Sequence, residues 1–323
     1  MSNPKPDHVA LDYAGAPEND GLLTNLSTVV TIDNFLWTAS DEGRTVECLK
    51  RDGNQYRFHR QVELDDLFPE FPGSWKDEAD IESIDIADGH LWICSSHARV
   101  RRQAKRDGEV DPGFFLRPSQ CLFGSVELSN HGGALAKSGQ TLPFIGDGSL
   151  RSLLAADDYL APFVALPSKE NGLDIEGMVI VDGRAFFGLR GPLVGGCAVV
   201  VEVAVAAGLC LNNRAYHLHF LGTGGLGVRD LAHLNDRLLV LAGPTGRELG
   251  PYRIYEWAPK RTVKVQLLEN PILADWIDGT QAPEGLCFVT REGKSGILIV
   301  YDSHDSGRAK GSVYTADWFQ LPL

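Results

Sequence analysis

A chain of 323 residues, 43% of them apolar, can bury a full core without disulfide staples, either as one large domain or as two ordinary ones. Its 30 basic residues against 43 acidic ones give a formal net charge of -13. That balance excludes a nucleic-acid backbone or an anionic membrane surface as the natural partner and favours cations, or an anion in a locally basic pocket.

From Met1 to Asp12 the chain is polar, with no apolar stretch of the signal-peptide kind. The run His8–Tyr13 predicts an outer strand that closes a ring onto the C-terminal end. Five hairpin patterns then follow, each a β-favouring run, a turn, and a second β-favouring run. They are LSTVVTIDNFLWTASD from Leu26 to Asp41, IESIDIADGHLWICSS from Ile81 to Ser96, IEGMVIVDGRAFFGLR from Ile175 to Arg190, VRDLAHLNDRLLVLAG from Val228 to Gly243, and the longer PEGLCFVTREGKSGILIVYD from Pro283 to Asp302. Their second positions are Ser27, Glu82, Glu176, Arg229 and Glu284, spaced by 55, 94, 53 and 55. The unit is about 54 residues, and one interval carries about 40 extra.

Two further strand-like runs follow a hairpin, clearest at 198–205 with 216–221 and at 252–257 with 263–268. Four strands per unit predict an all-β fold, a single β-propeller domain over 1–323 with five blades. A sixth blade would have to come from the surplus at about 130–167. Its glycines and the SLLAADDYL stretch (Ser152–Leu160) read instead as an inserted loop with a short helix over one face. A β-sandwich is the competing architecture, but it needs no hairpin at equal spacing.

The longest apolar run, Cys197–Leu211, contains Glu202 and is too short to span a bilayer. The cysteines (Cys48, Cys94, Cys121, Cys197, Cys210, Cys287) form no C-x-x-C pair and read as small buried side chains, which together with the polar N-terminus points to the cytoplasm.

In a propeller, the start of each inner strand and the end of the next strand meet at one mouth of the channel. The separations 27 to 41, 82 to 96, 176 to 190 and 229 to 243 are all 14, so the rim is a repeated design. It should gather Asp80, Glu82, Ser96 and His97 from the second hairpin, and Asp174, Glu176 and Arg190 from the third. Arg229 and Asp230 come from the fourth, and Glu284, Asp302 and His304 from the fifth. Glu82, Glu176 and Glu284 would repel one another unless a divalent cation (calcium, magnesium or manganese) or Arg190 and Arg229 offset them. Hard oxygen donors suit those metals. Asp80, Ser96, Asp174, Asp230 and Asp302 are candidate ligand-binding groups, and His97 and His304 are candidate proton carriers. The same carboxylates could instead anchor blades to one another, which would leave a protein-interaction scaffold.

The glycines of LGTGGLGVRD (Leu221–Asp230) precede a strand rather than open a helix, so no nucleotide cofactor is expected. SSHARVRRQAKR (Ser95–Arg106) is the one basic cluster, a solvated loop that could hold an anionic substrate over the mouth.

The set D-I-E-G (Asp174–Gly177), G-L-R-G-P (Gly188–Pro192), G-V-R-D (Gly227–Asp230), A-G-P (Ala242–Pro244) and P-E-G (Pro283–Gly285) resembles a bacterial domain of unknown function over nearly the whole chain. Ser95–His97 corresponds to that family's G-S-H, and its D-x-E-G stands here as D-I-E-S (Asp80–Ser83). The paired D-x-E-G motifs are also similar to those of phytase-like and esterase-like propellers. That resemblance implies divalent-metal phosphoesterase chemistry. In a hydrolase built on this rim, Glu82, Glu176 and Glu284 would hold the cation, Arg190 and Arg229 would stabilise developing negative charge, and His97 or His304 would move the proton. The expected ligand is a small anionic molecule, bound or hydrolysed as a phosphate or carboxylic ester.

Overall fold

The computed structural model describes residues 5–321 except 18–20, 75–76, 103–108, 110, 207–208, 235–236, 247–249, 263, 270, 277–280 and 303–306. Alternating side chains in the five hairpins are apolar on both faces, and this decides the architecture. In the third unit Met178, Phe187, Val199 and Val201 pack toward the second unit, while Val179, Phe186 and Val200 pack toward the fourth. A sheet that buries both faces must be sandwiched between neighbours.

Apart from the short pair Val100–Arg101 with Phe114–Phe115, the main described strands accordingly fall into five antiparallel blades, the first and fifth joined by a short parallel pairing of Gln55–Glu63 with Asp7–Asp12. The first blade is Leu26–Ile32, Phe35–Ser40, Thr45–Asp52 and Gln55–Glu63. The second is Ile81–Ala87, His90–Ser95 and Phe123–Ser129, with Ala134–Leu135 and Gln140–Thr141 on its outer edge. Asp174–Val181, Arg184–Val194, Cys197–Ala206 and Cys210–Gly222 make the third, and Gly227–Leu234, Arg237–Gly243, Tyr252–Trp257 and Leu273–Trp276 the fourth. The fifth is Ala282–Arg291, Lys294–Asp302, Val313–Gln320 and, from the other end of the chain, Asp7–Asp12.

Each inner strand packs against the next, and the last, Ala282–Arg291, returns to the first, Leu26–Ile32, so the ring is closed. Five apolar clusters fill the five interfaces. Fully buried residues such as Val200 and Val201 each contribute about 1.5–3 kcal/mol of transfer free energy there. Asp7–Asp12 pairs along its whole length with Val313–Gln320, and Val9 and Leu11 sink completely into the interface between the fifth and first blades.

The polar seams between inner strands repeat as well. Thr28 Oγ1 accepts from the Ile84 amide at 3.0 Å, Ser83 Oγ from the Met178 amide at 2.8 Å, and Asp230 Oδ2 from the Leu286 amide at 2.7 Å. The remaining two copies of this position are Gly177 and Gly285. A Cβ there would lie 2.7 Å from the Leu231 nitrogen or the Thr28 Cα, so these backbones meet directly.

The surplus of the second unit divides in two. The segment 130–167 holds the loop and short helices expected of it, Leu150–Ala155 and Ala161–Val164, and two short pairings on the second blade's edge. Ser149 caps the first helix by accepting from the Ser152 amide. A second excursion, 96–122, leaves the second blade before its third strand returns at Phe123, which the sequence reading did not separate from the blade. The two excursions meet over the channel mouth: Ser168 N donates to Arg99 O, and Arg101 is ion-paired with Glu170.

Candidate functional site

All five inner strands carry a register shift at the same place. The ladder slips between Leu26 and Thr28, Ile81 and Ser83, Ile175 and Gly177, Val228 and Asp230, and Pro283 and Gly285. The residue skipped each time is Ser27, Glu82, Glu176, Arg229 or Glu284. A bulged residue has no ladder partner and its side chain is re-aimed. Glu82, Glu176 and Glu284 line one cavity of about 990 Å³ at this mouth.

The three glutamates have different surroundings. Glu176 is 2% exposed; its Oε1 accepts from Arg190 Nη1 at 2.5 Å, and its Oε2 lies 2.9 Å from Arg229 Nε, a charge contact without hydrogen-bond alignment. Burial alone would push its carboxyl up, but Arg190, Arg229 and Lys169 hold it below the usual range. Glu284 is paired with Arg229 Nη2. Glu82 makes no hydrogen bond or ion pair among the described residues. Burial, then the charges of Glu176, Asp80, Asp41 and Asp174, push its carboxyl well up. Oxygens of Glu82, Asp174 and Glu176 all lie within 4.8 Å of one another.

Other carboxylates complete the floor. Asp80 accepts from Ser96 Oγ, and burial lifts its carboxyl to about 7. Asp41 is pushed well up by burial and by Asp80 and Asp302, and its Oδ1 is buried without a hydrogen-bond partner. Asp174 accepts from Ser168 Oγ and lies 3.9 Å from Arg190 Nε; burial and Glu176 raise it. The outer wall comes from the two excursions and is basic, with Arg99, Arg101, Arg102, Arg117 and Lys169 beside Phe115.

Of the residues singled out in the sequence, Asp80, Glu82, Asp174, Glu176, Arg190, Glu284 and Asp302 line the cavity together. Arg229 stands just behind, bound to two of its glutamates. Asp230 is elsewhere: it is 2% exposed and accepts from the Leu231 and Leu286 amides inside the ring. His97 is 1% exposed and faces away from the mouth, 3.2 Å from the Leu122 carbonyl; burial and then Arg151 hold its imidazole down at about 3. His304 lies outside the described residues.

Sequence reasoning missed Asp41's coupling to Asp80 and every contribution of the excursions except the basic cluster itself. Lys169 and Gln120 reach the cavity only because 167–170 and 117–122 fold back over the mouth. No 54-residue register places them there.

Among solved structures, a GH43_1 enzyme from Xanthomonas citri is similar at 12% identity and a TM-score of 0.49, over 94% of this chain and 90% of that one. Glutaminyl cyclase from Myxococcus xanthus is similar at 10% identity and 0.45, over 98% of this chain and 100% of that one. No protein of curated function matches the sequence. The family described as a protein of unknown function, DUF3616, matches residues 25–112 and 137–317, which include the inner hairpins of all five blades. The chain belongs to the DUF3616 family.

Proposed function

We propose that the carboxylate mouth binds a divalent cation together with a small anionic molecule, and that it hydrolyses a phosphate or carboxylic ester there. Glu82 carries this reading: a carboxylate re-aimed into a cavity by a bulge, under the charges of four other carboxylates, with no hydrogen-bond or ion-pair partner among the described residues. Such a group must hold a proton or share a cation. The donor set fits a hard cation, since it offers carboxylate oxygens and neither thiol nor imidazole. Glu176 and Glu284 are already engaged by guanidiniums, so the ligands narrow to Glu82 and Asp174, with Asp80 alongside.

When bound, the cation would polarise the ester oxygen and acidify a water. Asp80 stands at about 7 without the cation; the cation's charge would lower it, so that in the loaded site Asp80 would be an anion able to take up a proton, the role the sequence suggests for the buried His97. Arg190 and Arg229 act by fixing Glu176 as a permanent anion beside the protonatable Glu82. Neighbouring carboxyls driven apart in this way divide acid and base duties. The scaffold reading draws on Glu284 and Asp230, which do serve as ties. The free cysteines among the described residues suit a reducing, cytoplasmic setting.

The test is a thermal-shift and calorimetric titration of metal-free protein with calcium, magnesium and manganese, followed by a panel of phosphate and carboxylic esters. Wild type should be stabilised by at least one metal and Glu82→Gln by none. If neither responds and no ester is turned over, the scaffold reading stands.

A further inference from the structure

We infer that the basic outer wall of the cavity is a phosphoryl subsite, so that the molecule taken at this mouth is a phosphate monoester rather than a carboxylate. The inference rests on the site proposed above and specifies which ligand class it takes.

The wall holds more positive charge than the protein neutralises. Arg101 is paired with Glu170 and Arg117 with Glu78. Arg99, Arg102 and Lys169 line the same cavity; the charge of Lys169 acts on Asp174 and Glu176, whereas no carboxylate pairs with Arg99 or Arg102 among the described residues. Arg99 Nε is buried with no acceptor. Behind it stands Arg151, 7% exposed, whose guanidinium donates, among the described residues, to the carbonyls of His97 and Val164. Carbonyl dipoles satisfy its hydrogens but leave its charge uncancelled, and that charge adds to the potential at Arg99.

A second orphan faces the cavity from the same wall. Gln120 is 2% exposed, lines the cavity, and its Oε1 has no donor. Both atoms are closed to solvent as they stand, so a small side-chain rotation precedes contact; a ligand that presents oxygens to Arg99 and a hydroxyl to Gln120 then satisfies both, as a monoprotonated phosphoryl group does. The charge also discriminates. A carboxylate brings one negative charge to the two unpaired guanidiniums, whereas a phosphate monoester brings about -1.5 to -2 at neutral pH and matches guanidinium forks bidentately. The arginines Arg190 and Arg229 are unavailable for this task because Glu176 and Glu284 hold them.

The experiment titrates the full chain with inorganic phosphate and with acetate by calorimetry, with manganese in a separate arm. Wild type should bind phosphate at least tenfold more tightly than acetate. Arg102→Ala combined with Lys169→Ala, both exposed side chains, should weaken phosphate at least tenfold without weakening manganese binding, which the loss of the Lys169 charge beside Asp174 and Glu176 favours. Arg99→Ala should do the same, but the surface pair decides the matter if that variant fails to fold. Phosphate binding no tighter than acetate, or undiminished in the double variant, overturns the subsite. Manganese bound without phosphate sinks the subsite alone. Phosphate bound without manganese, and lost in the double variant, sinks the cation site alone.

Discussion

Glu82 and Glu176 occupy the same bulged position on neighbouring inner strands, yet two guanidiniums hold Glu176 while Glu82 is left facing carboxylates. Opposite mutational signs follow. Glu176→Gln takes away the carboxylate that Arg190 and Arg229 share, leaving them Asp174 and Glu284, and should destabilise the fold by about 1.5–3 kcal/mol. Glu82→Gln removes repulsion and should stabilise metal-free protein at pH 8 by about 1 kcal/mol while abolishing the metal response. Chemical denaturation of both variants, with and without manganese, checks the pair. Equal destabilisation by the two would contradict the division.

The pH dependence of the metal-free protein has a definite direction. Asp80 keeps its proton up to about pH 7 when folded and loses it near 4 when unfolded. Across that window the folded state binds more protons, so stability is present at the acid end and falls as pH rises, by on the order of a few kcal/mol. Glu82 and Asp41 shift in the same sense. A saturating cation should flatten much of the slope. Part of the slope that is left should disappear in Glu47→Gln, because buried Glu47, lifted to about 7 by burial in the first blade, titrates in the same window away from the site, as does buried Asp85, lifted to about 6. Melting temperatures from pH 5 to 8 measure both parts.

Asp230 is expected to matter for stability alone. Asp230→Ala would strand the Leu231 and Leu286 amides and loosen the seam between the fourth and fifth blades, at about 2–4 kcal/mol. Denaturation midpoints should drop while manganese affinity of the folded variant stays at the wild-type value. A fall in affinity without a fall in stability would return Asp230 to the site.

Removing residues 1–12 should open the ring. The Val313–Gln320 edge would be exposed and the interface would lose Val9 and Leu11, so light scattering should report association and the melting temperature should fall sharply. A synthetic peptide spanning 5–14 added in trans should reverse both. A truncated chain that melts like the full one would show that closure lies elsewhere.

The hairpins were legible because strand period, turn chemistry and spacing all repeat, and the 14-residue offset led to Glu82, Glu176, Arg190 and Glu284 as cavity neighbours. The bulges were not legible, since one skipped ladder pair leaves no mark in composition. Without them Asp230 looked like a rim residue, although it lies one position beyond the slip and points into the seam. His97 misled for a related reason: its serine neighbours suggested an exposed loop end, but the 96–122 excursion folds over it and the Leu122 carbonyl takes its ring. Which glutamate stays unpaired depends on where Arg190 and Arg229 reach, and spacing alone says nothing about reach.

The five bulges have a consequence for how this surface can change over generations. A side chain excused from the ladder can be replaced without breaking strand pairing, so each blade offers one writable letter on a fixed frame. Serine, arginine and glutamate already occupy those letters in a single chain. Position 82, whose side chain ties nothing together among the described residues, is therefore the letter that can be rewritten at least expense to the fold, whereas 27, 176, 229 and 284 also hold neighbouring strands and change at a cost.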